Sequence, residues 1–315
     1  MATGIPSRRT ASATTSSVPE RVGLIGTGIM GAPMARNARK AGFEVTVTNR
    51  TLARAEPLAK DGIAVARTPR EVAQRSDIVV TMVVDSPDVE AVLFGADGVA
   101  AGAHDGLLAI DMSTISPQRT KEFAERAERN HPRFRTLDAP VSGGEVGAIE
   151  ARLSIMIGGA AHDVERARPL FEALGKTIVH VGDHGAGQAT KLANQIAVAL
   201  NNLGVAEALV FAASQGIDLE KVRQVIAGGA GSSWAMHNYA PKMLAGDFRP
   251  GFMVDLQQKD LRLVLGDADS AHLSLPGTSL AHELYNALQA AGEGRDGNHA
   301  LLKVIERLSK TEARV

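Results

Sequence analysis

Gly185–Gln195 reads GAGQATKLANQ, a glycine-loosened turn that runs into the apolar helical pattern IAVALNNLGVAEALVFAASQ. No proline interrupts it before Gly216. A helix over about 188–215, roughly 28 residues at 1.5 Å each, is about 42 Å long. That exceeds an ordinary globular helix, and Ala, Asn and Gln look too frequent in it for a membrane span. Upstream of Gly185, strand and helix patterns alternate; downstream, only helical patterns remain. The expected fold is therefore an α/β domain with a doubly wound, mainly parallel sheet, then an all-α domain, joined through this long interdomain helix.

The upstream alternation begins at Arg21. Strand patterns occupy Val22–Gly26, 43–49, Ile63–Ala66, Asp77–Val84, Leu107–Ser113, Arg135–Val141, Leu153–Gly159 and Thr177–Val181. Between them, Ile29–Ala41 reads as a helix stopped by Gly42, and Ser86-Pro87 and Ser116-Pro117 carry helix-start chemistry. Helical patterns after the long helix cover Asp218–Ala227, Ser233–Leu244, Val254–His272, Ser279–Ala291 and Asn298–Lys310. The expected units are 1–20 as a disordered tail or tag remnant, 21–184 as the nucleotide domain, and 185–315 as the helical domain for substrate and oligomer contacts.

Composition narrows the functional classes. A formal charge of −1 over 315 residues supplies no field for nucleic acid or an anionic membrane. With no cysteine, thiol nucleophiles and thiolate metal sites are excluded. The nine histidines lack ligand spacing, so no metal is expected. Residues 1–20 hold no apolar run and do not read as a secretory signal. A cytoplasmic location is expected.

The first strand leads directly into Gly26-Thr27-Gly28-Ile29-Met30-Gly31, a G-x-G-x-x-G turn that opens a helix. This is the context of a Rossmann dinucleotide site. Gly26 allows the tight turn, Gly28 lets a pyrophosphate approach the backbone, and Gly31 lets the helix pack on the sheet. The second strand ends in Thr48-Asn49-Arg50-Thr51. A carboxylate there would bind a ribose 2′-hydroxyl; its absence, with an arginine fork beside it, favours a 2′-phosphate and hence NADP over NAD. Asn49, Arg50 and Thr51 are thus cofactor candidates, the alternative for Arg50 being a solvated loop cation. Ligands lie beyond the carboxyl ends of parallel strands, which adds the loops at Val84 and at Thr114. Thr114 either meets the nicotinamide ribose or caps the helix that starts at Ser116.

Ser142-Gly143-Gly144 follows a strand and is either a plain turn or a nest of N–H groups for a carboxylate. Lys191 shares a helix face with Asn194 and Gln195, at i+3 and i+4. A lysine ammonium at a domain junction can stabilise a developing alkoxide and protonate it. Lys259 lies four residues after Asp255, so an exposed ion pair between them is the plain account, and contact with cofactor or substrate is the functional one. Trp234, the sole tryptophan, reads as core or subunit contact.

GTGIMGAPMARNARKAG, DMSTISP, DAPVSGGEVGA, GAGQATKLANQ and QQKDLRLVL occur in this order. Together they resemble the β-hydroxyacid dehydrogenases over nearly the whole chain from Val22. The resemblance implies a Rossmann domain, a long interdomain helix and a helical domain that forms a homodimer or homotetramer. It implies Lys191 as proton donor or acceptor, Ser142, Gly143 and Gly144 at the substrate carboxylate, Asn194 and Gln195 orienting the substrate, and Thr114 and Lys259 near the cofactor. Where the family pattern has Asn four residues after the lysine, this chain has Gln195, as does the semialdehyde-reductase subgroup. The activity so implied is reduction of a short semialdehyde carrying a carboxylate, first of all tartronate semialdehyde to glycerate. Oxidation of 3-hydroxyisobutyrate and reduction of succinic semialdehyde or glyoxylate are the alternatives within the class. A non-catalytic nucleotide-binding scaffold is the alternative outside it.

Overall fold

The computed structural model describes residues 20–315. The expected disordered tail therefore lies outside the described residues, except Glu20, whose carboxylate sits 2.7 Å from Arg166 Nε. Among the described residues nine strands form one sheet: β1 Arg21–Ile25, β2 Glu44–Thr48, β3 Ala64–Val65, β4 Ile78–Thr81, β5 Leu107–Asp111, β6 Phe134–Asp138, β7 Val141–Ser142, β8 Leu153–Gly158 and β9 Gly175–Gly182. Their order is β3-β2-β1-β4-β5-β6-β8-β7, with β9 pairing β8. Pairings from β3 through β6 are parallel, as are β8 and β9; β8 runs antiparallel to β6 and β7. The sheet is the expected doubly wound, mainly parallel one.

Period-two alternation explains why these strands are apolar throughout. Val22 and Leu24 of β1, Ile78 and Val80 of β4, and Leu108 and Ile110 of β5 feed one buried cluster. Their neighbours Ile25, Val79, Leu107 and Ala109 feed another. A parallel sheet covered on both faces needs such runs.

The stretch Arg135–Val141 is not one strand. After Asp138 the chain breaks at Ala139-Pro140 and re-enters as β7, where Val141 and Ser142 pair antiparallel with Ile155 and Ser154. Proline has no N–H to continue a ladder, which ends β6 there. Short helices at Pro69–Gln74, Val99–Gly102 and Gly144–Ile149 lacked a readable period. The segment Ser233–Leu244 is likewise two helices, Trp234–Asn238 and Ala240–Leu244, with Pro241 in the first turn of the second. Trp234 is exposed and stands edge-on to Tyr239, with ring centroids 4.9 Å apart.

The long helix spans Ala186–Ser214, 29 residues. Gly185 precedes it at φ +87°, a left-handed conformation that glycine adopts without strain. Its most apolar 18-residue window has a mean hydropathy of 1.7, so length and composition alone would suit a bilayer. That corrects the argument from Ala, Asn and Gln content. Its packing is that of a core helix: Lys191, Gln195 and Asn202 are buried and hydrogen-bonded to protein groups. Leu203, Val205 and Leu209 belong to the apolar core shared with the later helices.

Candidate active site

The sheet order places a topological switch between β1 and β4, and the crevice beyond their carboxyl ends is where an α/β sheet takes a ligand. The glycine turn there fits a dinucleotide by its shape. Gly26 has φ +101°, and a Cβ on it would lie 2.2 Å from Met82 O. A Cβ on Gly31 would lie 1.9 Å from Gly26 O, so only glycine lets the helix Gly31–Lys40 start this close to the turn. A Cβ on Gly28 would meet nothing within 4 Å. The middle glycine therefore faces open space that a phosphate can use, while the outer two are required by the protein itself. Met30 precedes the helix as its cap residue. Ile29 and Val84 are exposed apolar side chains beside this turn and after β4, a suitable surface for flat rings.

Asn49 ties the turn to the end of β2. Its Oδ1 accepts from Thr27 N at 3.1 Å, and its Nδ2 donates to Thr51 O at 2.9 Å. Arg50 points outward with its side chain 86% exposed, and Nη1 reaches Asp88 Oδ1 at 3.1 Å. An ion pair this exposed contributes little, on the order of 0–1 kcal/mol. The guanidinium can therefore leave Asp88 for a phosphate at small cost.

On the helical side, Lys191 is buried, and its Nζ donates to Gln195 Oε1 at 3.0 Å. Asn194 Nδ2 donates to the same oxygen at 2.9 Å, and Gln195 Nε2 donates to Asp260 Oδ2 at 2.6 Å. Lys259 Nζ lies 2.8 Å from Asp260 Oδ1 as an ion pair, at an angle that makes no hydrogen bond. Lys259 Nζ also donates to the backbone carbonyl of Thr114. Burial lowers the Lys191 ammonium to about 8; the Asp260 carboxylate opposes the shift and Lys259 adds to it. A lysine so placed can hold or release a proton near neutral pH.

The structure thus gathers Lys191, Asn194, Gln195, Lys259 and Thr114 into one set, held by hydrogen bonds and by the Lys259–Asp260 ion pair, that joins the long helix, the helix Val254–Ser270 and the loop after β5. Two plain readings are corrected. Lys259 does not pair with Asp255, whose Oδ1 accepts instead from Gln289 Nε2 at 2.6 Å. Thr114 does not cap the next helix; Ser116 Oγ does, accepting from Arg119 N at 3.4 Å. Ser142 is held in β7, while Gly143 at φ +131° and Gly144 at φ +60° turn the chain into the helix Gly144–Ile149. Among the described residues no hydrogen bond links this loop to the Lys191 set. That helix is instead moored to the cofactor side, where Asn37 Nδ2 donates to Ala148 O at 2.6 Å.

Sequence reading missed the carboxylates beneath the site. Asp138, fully buried at the end of β6, accepts from Gly185 N at 2.8 Å and Gln188 N at 3.0 Å, capping the long helix from another element. Burial holds its carboxyl above the usual carboxylate range, against the pull of those N–H donors. Asp111 Oδ1 accepts from Thr81 Oγ1 at 2.7 Å and from Ser113 N at 3.1 Å. The available signal was a lone carboxylate at a strand end, as in LDAP, beside a glycine-rich helix start. Among the described residues no cluster of three or more metal-ligating side chains occurs.

Both halves of the chain are similar to known proteins. Residues 21–182 match the model of the NAD binding domain of 6-phosphogluconate dehydrogenase. Residues 185–305 match that of the NAD-binding domain of NADP-dependent 3-hydroxyisobutyrate dehydrogenase. The chain is 44% identical over 289 residues to 2-hydroxy-3-oxopropionate reductase of Escherichia coli K12, covering 92% of this chain and 98% of that one. It is 41% identical over 290 residues to the probable 3-hydroxyisobutyrate dehydrogenase-like 1, mitochondrial, of Arabidopsis thaliana, covering 92% and 86%. The solved Mycobacterium tuberculosis 3-hydroxyisobutyrate dehydrogenase with L-serine superposes with a TM-score of 0.83 at 33% identity, covering 91% and 99%. With both halves and the fold accounted for, the chain belongs to the 3-hydroxyisobutyrate dehydrogenase-like family of NAD(P)-dependent hydroxyacid dehydrogenases.

Proposed function

We propose that this member reduces a short carboxylate-bearing semialdehyde with NADPH, and that tartronate semialdehyde, giving glycerate, is its substrate. The observation that carries the proposal is Lys191: a buried ammonium lowered to about 8, held by Gln195 at the junction of the nucleotide cleft and the helical half. The reduced nicotinamide, when bound, supplies the hydride. Lys191 stabilises the negative charge that develops on the carbonyl oxygen and gives that oxygen a proton, leaving a neutral amine that solvent reprotonates. In the reverse direction the neutral amine takes the proton from the hydroxyl. Asn194 and Gln195 orient the substrate, and Gln195 also holds the lysine. Ser142, Gly143 and Gly144 receive the carboxylate. Gly26, Gly28, Ile29, Met30 and Gly31 cradle the cofactor, with Val84, Thr114 and Lys259 along its nicotinamide side.

The choice of tartronate semialdehyde is supported by the 44% identity to the Escherichia coli reductase. The Arabidopsis and mycobacterial relatives favour 3-hydroxyisobutyrate as the second reading. In this reading residues 21–184 bind the nucleotide, and 185–315 complete the substrate site and the subunit contact. The protein is a cytoplasmic homodimer or homotetramer acting on small molecules, with no nucleic acid or membrane partner. Exposed Phe211, Val225 and Trp234 supply apolar surface for the subunit contact.

Two measurements test the assignment. Initial rates of NADPH oxidation with tartronate semialdehyde and succinic semialdehyde should differ by at least tenfold in kcat/KM in favour of the former. Preference for succinic semialdehyde, or fast oxidation of 3-hydroxyisobutyrate with no turnover of tartronate semialdehyde, would replace the substrate and keep the family. For the cofactor, Arg50→Asp with Asn49 unchanged should lower kcat/KM for NADPH by about 10–100-fold, through a lost charge-assisted contact and new repulsion. The value for NADH should change by less than about threefold. Equal losses with both cofactors would remove the 2′-phosphate from the assignment of Arg50.

A further inference from the structure

Gln188 stands three residues before Lys191 on the long helix, on the same face. It is 0% exposed. A buried amide must satisfy both its oxygen and its nitrogen, and this one does so on the loop after β5, with a longer contact of 3.5 Å from Nε2 to Asp111 Oδ2 at the end of that strand. Its Oε1 accepts from Ile115 N at 3.1 Å, and its Nε2 donates to Ser113 O at 2.8 Å. These bonds bracket Thr114, whose own carbonyl accepts from Lys259 Nζ. The far side of the loop is held as well: Ser113 Oγ accepts from Val83 N at 3.0 Å, and Ser113 N donates to Asp111 Oδ1 at 3.1 Å.

The helix end of this bridge is equally restrained. Asp138 accepts from both Gly185 N and Gln188 N. A Cβ on Gly187 would lie 2.4 Å from Met156 O and 2.8 Å from Asp138 Oδ2, so the first turn presses directly on β6 and β8. Nothing in the reaction itself requires Gln188 to meet cofactor or substrate.

We infer that Gln188 is a positioning residue that sets the register between the Ser113–Ile115 loop, beside the nicotinamide, and Lys191, the proton donor. The inference rests on the proposed role of Lys191. Reduction needs the carbonyl carbon against the nicotinamide and the carbonyl oxygen against Nζ at the same moment. The first is referenced to a loop of the sheet and the second to a helix of the other half. A side chain hydrogen-bonded to that loop, one turn from the lysine, converts two independent positions into one. A misplacement of about 1 Å between reacting groups costs roughly 100-fold in rate, so a bridge of this kind acts on turnover more than on binding.

The test is Gln188→Met, which keeps length and packing and removes both loop bonds; Gln188→Asn, polar but too short to reach both partners, is prepared alongside. Four quantities are read: the Kd for NADPH, kcat with the preferred semialdehyde, the primary isotope effect with NADPH deuterated at the transferred position, and amide hydrogen exchange. NADPH affinity should stay within about threefold, and kcat should fall by about 10–100-fold. The isotope effect should rise as hydride transfer becomes slower than product release. Exchange should speed up at the Ile115 amide but not at Gly185, which Asp138 holds. A folded variant with wild-type kcat and isotope effect overturns the inference. So does a loss of kcat matched by an equal loss of NADPH binding, or failure of both variants to fold, since each describes a purely structural residue. Lys191→Ala assayed in parallel separates the two claims. If it turns over like wild type, the proton-donor reading fails; if it is inactive while Gln188→Met behaves as wild type, only the register role fails.

Discussion

Lys191→Ala should lower kcat for semialdehyde reduction by about two to four powers of ten, the usual range for a lost general acid, while the Kd for NADPH changes by less than about threefold. The asymmetry follows from where the side chain stands. Its Nζ bonds to Gln195 and through it to Asp260, and no residue of the glycine turn is among its partners. The wild-type pH profile carries the same information with a definite sign. Reduction uses the ammonium, and burial lowers that group to about 8, so kcat/KM should be flat below this value and decline above it. Oxidation uses the free amine and should rise over the same interval. Lys191→Arg keeps the charge but has no proton to give near neutral pH; it should stay within about tenfold of the alanine variant and lose the pH dependence. Steady-state rates between pH 6 and 10 in both directions check all three expectations. Turnover by Lys191→Ala within threefold of wild type would move the proton transfer to another group.

Asp138→Ala should unfold the protein at a markedly lower temperature without touching the nucleotide turn. The carboxylate accepts from two backbone N–H groups at the start of the long helix, both out of contact with water. Each of the two donors left abandoned in the buried first turn costs about 1–3 kcal/mol, offset in part because burial disfavours the carboxylate that is removed. A loss of about 3 kcal/mol or more is expected, a fall in Tm of roughly 5–10 °C for a chain this long. Asp138→Asn keeps the shape but turns an amide N–H₂ toward one of the two donors, so it should fall between wild type and Asp138→Ala. Differential scanning calorimetry with and without NADPH is the check. Because the glycine turn sits on β1, the NADPH-induced stabilisation should survive in both variants. A Tm within 2 °C of wild type for Asp138→Ala would mean that water or a shifted backbone satisfies the helix start.

Much of this architecture is written in local pattern. The alternation of Val22, Gly23, Leu24 and Ile25, the positive φ of Gly26 and the forbidden Cβ of Gly31, which would strike Gly26 O, are properties of a few adjacent residues. The uninterrupted apolar run after Gly185 is equally local, and the long helix follows from it. So does the face shared by Lys191, Asn194 and Gln195, which spans one helical turn.

Tertiary structure alone decided which polar groups of distant segments work together. Spacing offered Asp255 to Lys259 four residues away, yet Gln289 took Asp255 and the lysine turned to a carbonyl at Thr114, 145 residues earlier in the chain. Asp138 and Gln188 are 50 residues apart, and Gln188 and Ser113 are 75 apart; no periodicity connects such pairs. The break at Pro140 that creates β7 likewise became visible only once β8 was there to pair with it. A hydrophobic pattern states which face of an element is buried, and backbone sterics state where a turn falls. The partner of a buried carboxylate or amide is chosen by whatever the folded chain brings within about 3 Å, and the links from the local Lys191 face to Asp260, and from Lys259 to Thr114, are such choices.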